Sequence, residues 1–321
     1  MAEFYDISGL TYDVIRQPEW FTKAMFSGNI LERGYVKILP NIKKSTKLNQ
    51  INIEENLLQI DNADCGWNPT GDIKLSESIL DVKTYKINME DCIEKFESVW
   101  LSEKMKPGAE VDSLPDGLEA ATLDLVGKKV NDQIEEWIWD ADSAQDEDQF
   151  DGFIKVLNTS DKTIKIAGST ITKANVVGEI EKVYAAIPEA VLQNAEERVK
   201  IFVSYNTNRV LRMSLSNVNS QVIHTEFSIE GKVVYFLGIE IVPAKGISNS
   251  QMIASTIDNL IFGTDLVSDF SEIELGTFPK PNESKLWIKG RLRLGVTVAF
   301  PEEAVLYTPT NGLEKNTKKG A

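Results

Sequence analysis

Residues 116–140 read DGLEAATLDLVGKKVNDQIEEWIWD. Asp116 followed by Glu119 is a capping box, in which two side chains satisfy the backbone N–H groups that a helix leaves free at its start. Behind it Val126, Val130, Ile134 and Ile138 recur every four residues, with Leu118, Leu123 and Trp137 beside them. That period lays one continuous apolar stripe along a helix. The spacing predicts a helix over Leu118–Trp139, about 22 residues and ~33 Å long at 1.5 Å per residue. Such a stripe must lie along a core or a sheet.

Working outward towards the C-terminus, the helix stops in an acidic run: Asp140, Asp142, Asp146, Glu147, Asp148 and Asp151. FDGFIKVL (150–157) and KTIKIAG (162–168) then read as short strands. Residues 175–195 carry helical spacing through Val177, Ile180, Val183, Tyr184 and Ile187, interrupted near Pro188. VKIFVSYNT (199–207) reads as a buried strand and NRVLRMSLSN (208–217) as a short helix. Phe227–Ile229 and Val233–Val242 form an expected hairpin over Glu230, Gly231 and Lys232. LWIKGRLRLGVTVAF (286–300) alternates as a long strand marked by Trp287, Leu292, Leu294, Val296 and Val298.

Towards the N-terminus, residues 89–106 are expected to be helical, with Cys92, Ile93, Phe96, Val99 and Trp100 on one stripe, ended by Pro107 and Gly108. QINIEENLLQID (50–61) and DIKLSESILDVKTYKINMED (72–91) both alternate in part. They flank the turn-rich CGWNPTGD (65–72), so two long strands joined near residues 62–72 are expected. Ile73, Leu75 and Ile79 fall on one parity and Val82 on the other. A hairpin this polar cannot bury itself and must gain stability by lying on something else. YVKILP (35–40) reads as a short strand stopped by Pro40. Residues 1–30 read as a partly ordered arm, with helical spacing at Trp20, Phe21, Ala24 and Met25 broken by Gly28 and Gly34. The architecture expected is α+β, with no internal repeat and a polar, basic C-terminal tail.

Composition narrows the function. At 321 residues, with 42% hydrophobic and 26% charged, the chain can bury a real core as one large domain or two small ones. Its net charge of −15 and pI near 4.7 are those of a protein that does not read nucleic-acid sequence, because gripping phosphates takes clustered cations. No apolar run is long enough to cross a membrane. MAEFYDISGL lacks the basic and apolar regions of a signal peptide, so an intracellular product is expected.

Catalytic, cofactor-binding and metal-binding residues are all expected to be absent. The single histidine, His224, excludes a histidine-rich metal site and weakens any Ser-His-Asp arrangement. Cys65 and Cys92 are too few for a disulfide framework or a zinc site; two reduced thiols are expected, and a late Cys65–Cys92 disulfide stays open. As a calcium loop starting at Asp140, the acidic run fails at its turn, where Gln145 stands in place of glycine. Phosphate-binding loops and nucleophile elbows are missing. Paired carboxylates carry no specificity in so acidic a chain. Trp287, Lys289, Arg291 and Arg293 alternate on the last long strand; they form either a cationic face towards a partner or DNA, or simply a wet sheet face.

The order of these elements resembles tailed-bacteriophage major capsid proteins of the Hong Kong 97-type fold. The likeness runs from about residue 30 to 308. It is carried by the polar loop near Gln50–Lys86, the long helix Leu118–Trp139 and the acidic turn before FDGFIKVL. NVVGEIEKVYAAIPEAVL, VKIFVSYNTNRVLRMSL, GIEIVPAKGI with MIASTIDNLIFGTDL, and the closing GRLRLGVTVAFPEEAVLY continue it. The resemblance implies a Hong Kong 97-like capsid fold with five parts. Residues 1–49 are an N-terminal arm and the start of a peripheral domain, 50–86 an extended loop lying over a neighbouring subunit, and 87–159 the peripheral domain with its spine helix. Residues 160–280 are an axial domain, and 281–321 the return strand and tail.

It further implies hexameric and pentameric capsomers of an icosahedral virion head, assembled in a host bacterial cytoplasm. The head would enclose double-stranded DNA without sequence-specific contacts or a membrane, alongside portal, scaffolding or decoration proteins. The family's cross-linking Lys, Asn and Glu do not align here, so whether covalent cross-links form stays open. The rival readings are an encapsulin-like nanocompartment shell, a tail or decoration protein, and, from a different class, a hydrolase or metalloenzyme.

Overall fold

A computed structural model describes residues 15–16, 29–53, 73–92, 116–216, 227–230, 233–265, 274–277 and 285–309. The N-terminal third contributes β1 (Ile15–Arg16), α1 (Asn29–Glu32), β2 (Lys37–Leu39), β3 (Thr46–Ile53), β4 (Ile73–Leu80) and β5 (Lys83–Cys92). Then come α2 (Asp116–Asp140), α3 (Phe153–Thr159), β6 (Ile164–Gly168), α4 (Val176–Ala185), α5 (Glu189–Ala195), β7 (Val199–Ser204) and α6 (Tyr205–Ser216). The chain continues through β8 (Phe227–Glu230), β9 (Val233–Phe236), β10 (Ile239–Ala244), β11 (Met252–Thr256), β12 (Leu260–Thr264), β13 (Glu274–Thr277), β14 (Lys285–Val298) and β15 (Val305–Pro309). The arm's expected helical spacing at residues 20–25, both His224 and Cys65, and the C-terminal tail lie outside the described residues.

The expected long helix is present as α2, 25 residues beginning at Asp116 itself. Its stripe of Val126, Ile134 and Ile138 is buried. Trp139 is fully buried at its end, against Phe202 and Phe153 with ring centroids 4.8 and 5.4 Å away. The last turn of α2 has no basic residue, although its exposed carbonyls carry negative charge. Lys245, from outside the helix, pairs with Asp132 at 3.1 Å and Glu136 at 3.2 Å along its flank.

Two sheets flank this helix and differ in which faces are covered. The seven-stranded sheet runs β6-β15-β11-β7-β10-β9-β8. In β7, Phe202 joins the core under α2, while Ile201 and Val203 point to a second core under α4, α5 and α6. Met252 and Ile253 divide the same way, as do Val305 and Leu306. Both faces are buried, which is why VKIFVS reads as a continuous apolar run. The other sheet runs β1-β13-β14-β12-β2, with β5 along the other edge of β14. There one face alone is covered along residues 287–293 of β14, whereas residues 294–298 and β12 are buried on both faces. Ile288, Leu292 and Leu294 are buried, while Lys289 and Arg291 face out, so β14 alternates.

Four expectations need correction. FIKVLNT is helix α3, not a strand, with Phe153 and Leu157 stacked one turn apart in the core. Seven residues of mixed pattern do not separate a period of 2 from one of 3.6. Residues 89–92 end strand β5 instead of starting a helix, because Met89 to Cys92 pair with Ile288 to Lys285 of β14; residues 93–106 lie outside the description. Val233–Val242 is two strands, β9 and β10, folded at Leu237 (φ 47°) and Gly238 (φ 88°). The second arm of the polar loop also divides at Asp81–Val82. Its first half pairs with β3, and its second half leaves to join β14. The parity change between Ile79 and Val82 marks that break.

Candidate functional site

The described residues hold no group of three His, Cys, Asp or Glu side chains able to take a metal, and no described helix is long and apolar enough to cross a membrane. The features with functional potential are surfaces. The first is the hairpin of β3 and β4, paired antiparallel from Thr46↔Leu80 to Ile53↔Ile73 as a sheet of its own. Among the described residues, the contacts that clamp it to the body lie at its base. Leu80 is fully buried beside Ile261 and Ala299. The Ser78 hydroxyl lies 3.1 Å from that of Thr297 and donates to the Val298 carbonyl at 2.9 Å.

Two glycines make this clamp possible. A Cβ on Gly263 would meet the Leu80 side chain at 2.6 Å, and one on Gly295 would meet the Asp81 carbonyl oxygen at 2.0 Å. Further out, Lys47 and Glu77 pair across the strands at 2.7 Å with both side chains mostly exposed, a contact worth little. Ile79, on the parity that sequence marks as apolar, is 58% exposed, whereas Leu80 is the buried anchor. A two-stranded ribbon presenting such side chains is marginal alone in water and calls for a covering surface.

The second surface is the outer face of β5 and β14. Lys86 stands opposite Arg291, and Lys289 lies two residues along, all three exposed. Trp287 is half-buried on this same parity, so the buried stripe of the strand is Ile288, Leu292 and Leu294 instead. Arg293, expected on the cationic face, is committed elsewhere. Its backbone N–H donates to Asp265 at 2.8 Å and its guanidinium to the same carboxylate at 3.2 Å.

The third is the acidic spine exit. Asp142 accepts from the Ala144 N–H, Asp151 from the Ser143 N–H and Asp146 from the Asp148 N–H. Lys155 pairs with Asp142 at 3.1 Å. These carboxylates act as loop fasteners, as Asp and Asn side chains do in turns. Desolvation at the helix end, with the Asp142 charge nearby, pushes the Asp140 carboxyl up to about 6.

Sequence reasoning missed two charged networks between elements. Lys200 of β7 meets Glu240 of β10 at 3.2 Å, with side chains 14% and 13% exposed, and Tyr35 also donates to Glu240. Glu179 of α4 accepts from Ser169 at 2.7 Å, from Tyr307 at 2.8 Å and from Lys182 at 3.0 Å. Their signal was a charged residue on an otherwise apolar face: Lys200 within VKIFVS, and Glu179 within the Val176, Ile180, Val183 stripe.

No family model and no curated protein matches the chain. Solved structures do. A chain from the satellite phage P4 procapsid including size determination (Sid) protein superposes with a TM-score of 0.61 at 9% identity, covering 94% of this chain and 93% of that one. The chain has the Hong Kong 97-type capsid fold. The capsid of the native GTA particle gives a TM-score of 0.58 at 11% identity, covering 94% of each chain. The virus-like particle from Pyrococcus furiosus gives 0.51 at 10% identity, covering 90% of this chain and 96% of that one. At these identities the likeness to the Hong Kong 97-type fold is one of backbone arrangement, reached with other side chains.

Proposed function

We propose that this chain is a major capsid protein, a structural subunit and not an enzyme. Copies assemble through hexamers and pentamers into an icosahedral head that encloses double-stranded DNA. The observation that carries this reading is the β3–β4 hairpin, whose described contacts with the body lie at its base, within a capsid fold. In a shell, a neighbouring subunit supplies the surface that the hairpin lacks. The extended loop corresponds to residues 50–86 and the peripheral domain to 1–49, 87–159 and 281–321. The axial domain corresponds to 160–280, with β15 completing its sheet. Portal, scaffolding and decoration proteins are the expected partners, and the host bacterial cytoplasm the site of assembly. The net charge of −15 fits a wall that surrounds DNA without gripping it.

Electron microscopy and light scattering of the purified protein test this reading. Closed shells, or rings of five and six, are the expected products. A small monomer under all salt and scaffold conditions overturns it. A second reading is an encapsulin-like compartment with protein cargo; the likeness to the virus-like particle from Pyrococcus furiosus supports a shell as such, whatever the shell encloses. Particles isolated from the source organism decide between the two: nuclease-protected double-stranded DNA supports the head, and enclosed protein supports the compartment.

A further inference from the structure

A groove of about 950 Å³ lies between the Arg33–Tyr35 segment, α6 and β10. On α6, Tyr205, Arg209 and Met213 follow at i, i+4 and i+8 and therefore share one face. Tyr205 is 53% and Met213 52% exposed, large apolar areas to leave in water. Arg33 and Arg209 bring exposed guanidinium groups to the same groove. Its described lining includes a carboxylate, Glu240, but that group is engaged by Lys200 and Tyr35. Asn208 lies in the wall of the groove. Its side chain is 9% exposed, and its amide oxygen has no hydrogen-bond partner among the described residues.

The groove therefore favours a peptide segment rich in carboxylates. The chain itself carries one. Residues 130–154 hold nine Asp or Glu and no Lys or Arg. Within them residues 144–148 are exposed, and the turn bonds made by Asp142, Asp146 and Asp151 hold the loop preformed, which lowers the entropy cost of docking. We propose that the groove lined by Arg33, Asn208 and Arg209 receives the acidic spine exit of a second copy, with Glu147 and Asp148 facing the two arginines. Groove and loop are different patches, so the contact is head-to-tail, the kind that closes rings or extends arrays. This inference rests on the capsid reading and names one of its subunit contacts.

Charge exchange tests it. Arg33→Glu with Arg209→Glu, and separately Glu147→Arg with Asp148→Arg, reverse exposed residues, and each unassembled variant is first compared with the wild type by melting temperature and circular dichroism; Arg209→Glu alone serves as the control for Arg33, which also bonds Tyr35 and stands near Glu240. Each pair alone is expected to raise the critical concentration for assembly about tenfold or more, through like-charge repulsion. Combining all four substitutions is expected to restore it. Assembly unchanged in the two-site variants overturns the groove as an interface. Loss without restoration in the four-site variant overturns its pairing with the spine exit. If the wild-type chain does not assemble at all, the capsid reading fails first, which separates the two claims.

Discussion

Glu179 is a buried carboxylate kept charged by its neighbours. Burial alone would raise its pKa, but hydrogen bonds from Ser169, Tyr307 and Lys182 outweigh that and hold it below the ordinary glutamate range. A group lowered in the fold adds stability above its unfolded value, near 4.5, and that contribution is lost as pH falls through the folded value. Glu179→Gln is therefore expected to destabilise by about 1–3 kcal/mol at neutral pH. The gap should shrink as the pH drops from about 5 to 3, read from paired thermal melts. Lys200 and Glu240 give a second expectation. Lys200→Met strands a buried carboxylate and should cost about 3 kcal/mol. Lys200→Met with Glu240→Leu should cost clearly less, measured by denaturant unfolding. Sequence marks Glu179 and Lys200 as charges on apolar faces, but their partners Tyr307 and Glu240 stand 128 and 40 positions away.

Among the elements, β4 and β5 show how one sequence run can serve two sheets. The chain crosses β14 at Gly295, where the Asp81 carbonyl occupies the place of a side chain. Gly295→Ala must push backbone against backbone, and a loss of about 1–3 kcal/mol is expected from such overpacking. Leu80→Ala removes the buried anchor and should cost about 2–5 kcal/mol. Both are expected to loosen the base of the hairpin, read as faster amide exchange at β4 and a lower melting temperature. Unchanged exchange in both would mean that the clamp lies elsewhere. The alternating pattern of β14 was legible because one face of its first half, around Lys289 and Arg291, is wet, and the run in β7 because both faces are dry. α3 was not legible, since its helical form depends on Phe153 and Leu157 reaching the core at the foot of α2.

At the scale of the molecule, the hairpin should matter to assembly far more than to folding. Replacing residues 49–77 with an Asn-Gly turn keeps the Leu48↔Ser78 pair and the Leu80 anchor. Such a two-residue turn suits a hairpin of this kind. The shortened chain is expected to keep near-native circular dichroism and a melting temperature within a few degrees, yet to form no closed shells by electron microscopy. Shells of normal size from this variant would remove the hairpin from the assembly mechanism.

Sequence by itself determined the long helix, the two strand patterns, the polar hairpin and the order in which they follow, because each rests on a local period, a cap or a turn residue. It also limited the chemistry, with one histidine and two cysteines. Only the tertiary structure decided that the second arm of the hairpin breaks at Asp81, that FIKVLNT coils, and that Arg33, Asn208 and Arg209 meet at one groove. Those outcomes depend on contacts between residues tens to hundreds of positions apart. The long helix of residues 116–140 needs a core to lie on, and sequence states that need plainly. Which sheets supply the core is fixed only when the chain closes around it.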